Sequence, residues 1–314
     1  MIDLSRLPAL VLAAGLATRL QPLSFVRAKA ALPVAGTPLI VRILRWLRAA
    51  GIERVVLNLH HRAESITALI GDGADLDLNV RYSWETAVLG SAGGPARAIP
   101  LLQSDRFLIV NGDTLADVDL QALVDQHVDT NALVTMAVAA ADSRYNAIAA
   151  NDSGIVTRFP NRTPGTAGTP GTFHFIGIQA VNASVFAGVS PDTRSETVHG
   201  IYPSVIAARP ESIRIFRSEA EFFDIGSPRD YLETAAAFAA REGRPLDRGI
   251  GCVVAPDARL TNTILWDRIT VGAGARLTDC VVADDVIVPA GAEFSRSALI
   301  MRDNGLIAEA WKSA

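Results

Sequence analysis

The sequence is poor in cysteine. Two residues, Cys252 and Cys280, stand in a chain of 314. They form no metal-ligand cluster, and both sit in apolar alternation, so buried free thiols are expected and a disulfide framework is excluded. Long apolar runs are missing as well: no stretch approaches the ~20 residues of a membrane span. The first residues, Met1–Arg6, lack the charged-then-apolar layout of a signal peptide. There is no broad excess of positive charge. The 29 Lys and Arg against 33 Asp and Glu leave a formal net charge of −4, which argues against a nucleic-acid partner. Two common nucleotide motifs are absent: no G-x-x-x-x-G-K-[ST] occurs, and no G-x-G-x-x-G follows the first strand. With 49% apolar and 20% charged residues, a soluble, cytoplasmic, globular protein without a membrane partner is expected.

What is present is an alternation. Apolar runs at Ala9–Leu12, Arg54–Leu59, Phe107–Val110 and Leu133–Ala139 read as strands, and Val80–Trp84 reads as an alternating one. Between them, Leu39–Arg48 and Arg62–Ile70 carry apolar residues at helical spacing and stop at glycines. Strands separated by helices mean βαβ units, hence an α/β fold with a mixed, mostly parallel sheet. Pro95 is expected at a helix N-terminus, with Ala96–Leu102 continuing that helix. After Gly243-Arg244-Pro245 the pattern changes. Cys252–Leu260, Ile269–Leu277 and Val286–Phe294 echo one another, with aliphatic residues every five or six positions and Gly, Pro or Ala corners. That is a hexapeptide repeat, so a short parallel β-helix is expected. The expected domains are 1–243 and 244–314, the second closed by a terminal helix over Leu306–Lys312. So short a coil leaves open ends that must be covered, and a homo-oligomer is expected with the coil at or near its interface.

The chemistry is read first from Leu10–Pro33. An apolar strand runs into Ala13-Ala14-Gly15, where small residues let backbone N–H groups approach a ligand. Thr18 and Arg19 follow, and Lys29 lies ten residues further on. A strand, a small-residue turn and two fixed cations describe a loop that holds a triphosphate. Further along, Phe107–Asp113 is an apolar strand ending in an acid, and Asp224 ends another. The carboxyl ends of strands are where open α/β sheets place their chemistry.

Leu12–Ser24 and Ala28–Val34 together resemble L-A-A-G-x-G-T-R-L-x-P-L-T followed by P-K-x-L-x-P-V, the signature of the sugar-1-phosphate nucleotidylyltransferases. Ala17 stands where that family usually has a second glycine. Glu85–Gly94 resembles the family's E-x-x-x-L-G-T-A-G-G, and Glu221–Tyr231 resembles F-x-D-I-G-T-P-x-D-Y. Together with N-G-D at Asn111–Asp113 and the C-terminal repeat, the sequence looks most like the mannose-1-phosphate guanylyltransferases of that family. The resemblance implies a Rossmann-like (GT-A type) transferase domain with a left-handed β-helix behind it. It implies an enzyme joining a nucleoside triphosphate to a sugar 1-phosphate, with pyrophosphate released. Leu12, Ala13, Ala14, Gly15, Thr18, Glu85, Gly90 and Ser91 would bind the nucleotide. Arg19, Lys29 and Asp113 would be catalytic, and Asp113 with Asp224 would hold Mg²⁺. Asn111, Arg162, Gly177 and Glu196 would meet the sugar phosphate; for Glu196 a surface or helix-approach acid is an equal alternative.

His174 invites a general-base role, but the attacking phosphate oxygen is already anionic, so a structural or substrate-contact role is expected instead. Two rival classes are weighed. A hexapeptide acyltransferase would use a histidine in the β-helix, and no histidine occurs after His199. A catalytically silent sugar-nucleotide sensor would have lost Arg19, Lys29 or an aspartate, and all four are present. UTP or dTTP with glucose 1-phosphate or N-acetylmuramate 1-phosphate is the alternative substrate choice.

Overall fold

The computed structural model describes residues 2–142, 144–159, 171–303 and 305–311. They form two compact units that do not follow the chain. One, the sheet unit, takes in residues 1–15, 43–61 and 70–222; the other, the coil unit, takes in 16–42, 62–69 and 223–314. The helices are α1 (Leu39–Ala49), α2 (Ala63–Ile70), α3 (Gly90–Leu102), α4 (Leu120–Asp129), α5 (Tyr202–Ala208) and α6 (Pro228–Arg241). No helix among the described residues is long and apolar enough to cross a membrane.

The sheet unit is built on nine strands: β1 (Ala9–Leu12), β2 (Arg54–Leu59), β3 (Asn79–Trp84), β4 (Arg106–Asn111), β5 (Val134–Ala140), β6 (Ala147–Ala150), β7 (Val156–Arg158), β8 (Thr172–Asn182) and β9 (Ile213–Arg217). Their order is β7-β6-β8-β4-β1-β2-β3, with β5 also on β8 and β9 on β5. β3, β2, β1 and β4 run parallel, and so do β5 and β9; β8 runs antiparallel to β4, β5 and β6. The expected mixed, mostly parallel α/β sheet is what forms. The central strands β1, β2 and β4 are near-continuous buried runs, whereas the edge strand β3 alternates between buried and exposed residues. Leu10, Val56, Phe107, Ile109, Val134, Met136, Ile213 and Ile215 share one core. After β1 the chain adds β2 and β3 on one side, then returns to place β4 on the other. The carboxyl ends of β1 and β4 are therefore a topological switch point, where such sheets open a ligand crevice.

α3 begins at Gly90, so Pro95 lies inside it instead of at its N-terminus. The earlier start is possible because the first N–H groups find acceptors outside the helix. Ala92 and Gly93 both donate to Ser195 O (2.9 and 3.2 Å), and Ser91 N–H donates to Glu196.

The coil unit takes β10 (Phe222–Asp224) from Phe223 onward and holds the strands β11 (Val253–Val254), β12 (Arg259–Thr261), β13 (Ile264–Leu265), β14 (Thr270–Val271), β15 (Arg276–Val282), β16 (Ile287–Val288), β17 (Glu293–Arg302) and β18 (Gly305–Ala310). Three parallel ladders stack them: Val253, Thr270 and Ile287; Arg259, Arg276 and Glu293; Ile264, Val281 and Ala298. Equivalent residues are 17 apart, as in Asn262 to Asp279 and Arg268 to Asp285. The coil is thus one residue short of three hexapeptides. Ile264, Ile269, Val271, Leu277, Val281, Val286 and Val288 fill its interior, whereas Leu260 stays exposed in the first coil. Of the expected terminal helix over Leu306–Lys312, Lys312 lies outside the described residues and Leu306–Ala310 belong instead to the strand β18, paired antiparallel with β17 from Ser297↔Ala310 to Arg302↔Gly305. Its helix-forming residues yield to a ready ladder of unpaired backbone groups.

Candidate active site

In the sheet unit the site residues gather at the ends of β1, β2 and β4. Gly112 N–H donates to Leu12 O at 2.9 Å, and a Cβ at Gly112 would lie 2.6 Å from that oxygen. Only glycine lets the end of β4 pass so close to the turn after β1. On β8, Gly177 has φ +80° and a Cβ there would stand 3.0 Å from the Asn111 side chain. The structure thus brings Asn111 and Gly177 together. Asp113 follows, accepting from Thr114 Oγ1 at 3.1 Å.

A second cluster shapes the turn itself. Asn58, buried on β2, accepts from Ala13 N–H through Oδ1 (2.7 Å) and donates through Nδ2 to Glu85 Oε1 (2.7 Å). The other Glu85 oxygen accepts from Leu89 N–H at 2.9 Å. Glu85 is buried with a protein donor on each oxygen, and a Cβ at Gly94 would reach within 2.8 Å of both Asn58 Nδ2 and Glu85 Oε1. Asn58 was not among the expected site residues. Its signal was one amide inside the apolar run of Arg54–Leu59.

The α3 N-terminus joins two more expected residues. Glu196 Oε2 accepts from Ser91 N–H (3.1 Å) and Ser91 Oγ (2.8 Å), and Ser91 Oγ accepts from Thr197 N–H at 2.8 Å. Gly90, at φ +78°, lies against Ser195 O and Glu196. A carboxylate at a helix N-terminus also complements the helix dipole. His174 is buried on β8, with its ring 4.0 Å from Tyr145 and 4.9 Å from Phe222 by centroids. Burial, only partly opposed by Asp142, pushes its pKa down to about 4. The imidazole is therefore neutral at pH 7, and a group this acidic is a poor general base.

In the coil unit, Thr18 and Arg19 lie on a 3₁₀ turn (Thr18–Leu20) that follows Ala17, at φ +48° and ψ +45°. The missing glycine thus matters for strain and not for shape: Ala17 takes up the left-handed conformation that glycine would reach freely. Arg19, Asp224 and Asp230 converge on Gly226, whose Cβ would lie 3.3 Å from Arg19 Nη1, 3.4 Å from Asp224 Oδ2 and 3.0 Å from Asp230 Oδ2. Lys29 Nζ is 3.8 Å from Asp224 Oδ1. Ser227 caps α6, accepting from Asp230 N–H (3.2 Å) and donating to Asp230 Oδ2 (2.7 Å). Arg19, Lys29 and Asp224, expected to act together, are brought together, and Asp230 joins them. Its only sequence signal was its place in the second signature. Lys29 is also conspicuous by composition. Of the 29 basic residues, lysine appears only at positions 29 and 312. A chain that otherwise uses arginine keeps at this point the compact, flexible ammonium.

Arg162 lies outside the described residues. Among the described residues no group of three or more His, Cys, Asp or Glu is placed to hold a metal ion. The carboxylates of Asp113 and Asp224 are hard oxygen donors of the kind Mg²⁺ takes singly or in pairs beside substrate phosphates.

Comparison with known proteins decides the family. The model of the nucleotidyl transferase family matches residues 8–241. The chain belongs to the nucleotidyl transferase family. It is 29% identical over 296 residues to a mannose-1-phosphate guanylyltransferase of Mycobacterium tuberculosis (strain ATCC 25618 / H37Rv), covering 85% of this chain and 81% of that one. A shorter stretch of 115 residues is 44% identical to the N-acetylmuramate alpha-1-phosphate uridylyltransferase of Neisseria meningitidis serogroup B, covering 36% of this chain and 50% of that one. Among solved structures, HddC from Yersinia pseudotuberculosis shares the fold, with a TM-score of 0.63, 22% identity, and coverage of 74% of this chain and 99% of that one. As a nucleotidyltransferase this family member is an enzyme of nucleotide transfer, and the alternative of an acyltransferase falls away.

Proposed function

We propose that the protein is a sugar-1-phosphate nucleotidylyltransferase, and that its reaction is GTP plus mannose 1-phosphate giving GDP-mannose and pyrophosphate. The observation that carries the reading is the meeting of Arg19, Lys29 and Asp224 within the coil unit, with Arg19 and Asp224 beside Gly226 and Lys29 Nζ 3.8 Å from Asp224. An oxygen of the sugar phosphate attacks the α-phosphorus in line. The new O–P bond forms as the bond to the β-phosphate oxygen breaks, and the electron pair leaves with pyrophosphate. Arg19 neutralises charge that grows on the departing pyrophosphate, and Lys29 holds phosphate oxygens at the reacting centre. The turn Leu12–Gly15 and Thr18 take the nucleotide, with Glu85 acting through Asn58 to fix that turn. Gly90 and Ser91 lie beside the base, Asn111 and Gly177 beside the sugar, and Glu196 sets the α3 N-terminus between them. Arg162 remains assigned to the sugar phosphate. Asp113 and Asp224 would hold Mg²⁺, which supplies charge neutralisation at phosphate oxygens when bound. Most of the rate then comes from positioning and fixed charge.

The likeness to the mycobacterial enzyme along most of both chains supports the mannose and guanine choice. The 44% stretch shared with the meningococcal enzyme favours a second reading, UTP with N-acetylmuramate 1-phosphate. Incubation with each nucleoside triphosphate and a panel of sugar 1-phosphates, followed by pyrophosphate release, separates them. Release with GTP and mannose 1-phosphate alone supports the first; release only with UTP overturns it. The two free thiols fit a cytoplasmic enzyme. Val253 and Ile287, on either side of Thr270, are both exposed on one ladder of the coil, and these two aliphatic side chains support a homo-oligomer. Sedimentation of the full chain as a monomer would rule that out.

A further inference from the structure

Arg27 precedes Lys29 by two residues, yet its side chain belongs to the β-helix. Its Nε donates to Asp284 Oδ2 (2.7 Å), and its Nη2 donates to Asp284 Oδ1 (2.6 Å) and to Asp267 Oδ2 (2.6 Å). The guanidinium carbon lies 5.1 Å from the Trp266 ring centroid. This is fork recognition of carboxylate with an aromatic floor, a geometry lysine does not reproduce. Burial works against the charge, but Asp284 and then Asp267 outweigh it and hold the Arg27 pKa above its ordinary value.

The two acids occupy the same corner of successive coils, 17 residues apart. Each is fixed by a backbone donor from the preceding coil: Asp267 N–H donates to Asp284 Oδ1 (3.0 Å) and Ile250 N–H to Asp267 Oδ1 (2.8 Å). Neighbouring strands stack at about 4.8 Å, so without a cation these carboxylates would repel. The corner is therefore a built receptacle for one guanidinium.

The same segment is gripped on both sides of Lys29. Upstream, Arg302 of β17 lies 4.0 Å over the Phe25 ring. Downstream, Trp266 Nε1–H donates to Tyr231 Oη (3.1 Å), and Tyr231 O–H donates to Pro33 O (2.6 Å). Trp266 and Tyr231 are fully buried. Trp266 thus serves Arg27 with its face and Pro33, through Tyr231, with its edge. Lys29 sits between these anchors, its Nζ 3.8 Å from Asp224. The lysine stem is long and flexible, so the place of its ammonium depends on how firmly the backbone at 27–33 is held.

We propose that Arg27 is a positioning residue for the reaction: clipped into the Asp267–Asp284 corner, it sets Lys29 against Asp224 and gives the β-helix a part in turnover. This rests on the reading that Lys29 contacts substrate phosphates. It assigns the coil a role distinct from assembly, because the clip lies within one chain.

The test compares wild type with Arg27→Ala, Arg27→Lys, Asp284→Asn and the reference Lys29→Ala. Two readouts are taken: kcat and KM from pyrophosphate release, and the NMR resonance of Lys29 after reductive ¹³C-methylation. With only two lysines in the sequence, that spectrum is simple, and Lys312 is its internal control. Arg27→Ala is expected to lower kcat about 10- to 100-fold, the scale of a small misplacement near a reacting group. The KM for the sugar 1-phosphate should stay within about twofold. The Lys29 resonance should move and that of Lys312 should not. Asp284→Asn should do the same more weakly, and Arg27→Lys should recover only part of kcat. Should Arg27→Ala fail to fold, Arg27→Lys and Asp284→Asn carry the same two readouts. Wild-type kcat and an unmoved Lys29 resonance in folded Arg27 variants would overturn the proposal. Should Lys29→Ala itself turn over normally, the reading of Lys29 fails, and the resonance alone still decides whether Arg27 sets its place.

Discussion

The two halves of the signature loop are held by opposite kinds of chemistry. Leu12–Gly15 belong to the sheet unit, and Leu16 onward to the coil unit. The first half is fixed by an amide: Asn58 takes the Ala13 N–H and is itself oriented by the buried Glu85. Its groups are short, buried and made within one sheet. The second half is fixed by charge, Arg27 on two carboxylates and Lys29 beside Asp224. Backbone geometry suits the part of a ligand that is flat and neutral, and cations suit the part that is anionic. The comparison teaches that one sequence motif need not be one structural element.

The sharpest way to break this comparison is to remove charge from the coil-unit half. Arg19→Ala is expected to lower kcat by about 10²–10³, because charge on the departing pyrophosphate grows in the transition state. Asp224→Asn should come close to abolishing turnover with the fold intact by circular dichroism. A raised KM with unchanged kcat for Arg19→Ala would show that the cation serves only ground-state binding.

The matching cut in the sheet unit is Asn58→Ala. It strips the partner from a buried N–H and from a buried carboxylate. Leaving such groups unpaired costs roughly 2–4 kcal/mol. The loss should appear as a lower thermal midpoint together with weaker nucleotide binding. If the second half is fixed independently, as its separate network implies, the Lys29 resonance should not move in this variant. A shifted resonance would mean that the two halves are one unit.

Much of this was legible in the sequence, and the part that was not has a physical reason. The strands of the sheet announce themselves because buried parallel strands are apolar on both faces. The coil announces itself because each turn repeats its corners. Arg19, Lys29 and Asp224 were legible because the motifs hold them at fixed spacing. Arg27 was not, since its partners lie 240 and 257 residues away and no local pattern links them. Asn58 hides in a strand that is otherwise apolar, where one polar residue is common. The strand β18 was misread as a helix because Leu306, Ala308 and Glu309 favour helix locally, while the edge of β17 decides the matter non-locally.

A smaller effect separates the units by pH. His174, in the sheet unit, is held neutral by burial, with its pKa lowered to about 4 from 6.5. In the unfolded chain the same group takes a proton near 6.5, so the unfolded state binds more protons between the two values. Stability should therefore fall as pH drops from 6.5 towards about 4, and level off below that. The thermal midpoint of a His174→Phe variant should decline less over this window. Equal slopes for the two proteins would show that His174 does not set the acid limit of the sheet unit.

The smallest expected effect lies where the chain has just passed from one unit to the other. Ala17 has φ +48° and ψ +45°. The left-handed conformation costs an L-residue about 1–2 kcal/mol. Glycine removes that cost but loses about 0.5–1 kcal/mol through the greater freedom of its unfolded chain. Ala17→Gly should therefore be stabilising by about 0 to 1.5 kcal/mol, since the two effects oppose each other. For a chain of this size that is a rise of at most about 2 °C in thermal midpoint. The backbone already has the shape glycine would adopt, so the KM for nucleotide should not change. A fall in the midpoint would mean that the Ala17 methyl makes a packing contact worth more than the strain it causes. A changed KM at an unchanged midpoint would mean that the added backbone freedom at position 17 disturbs the placement of Thr18 and Arg19.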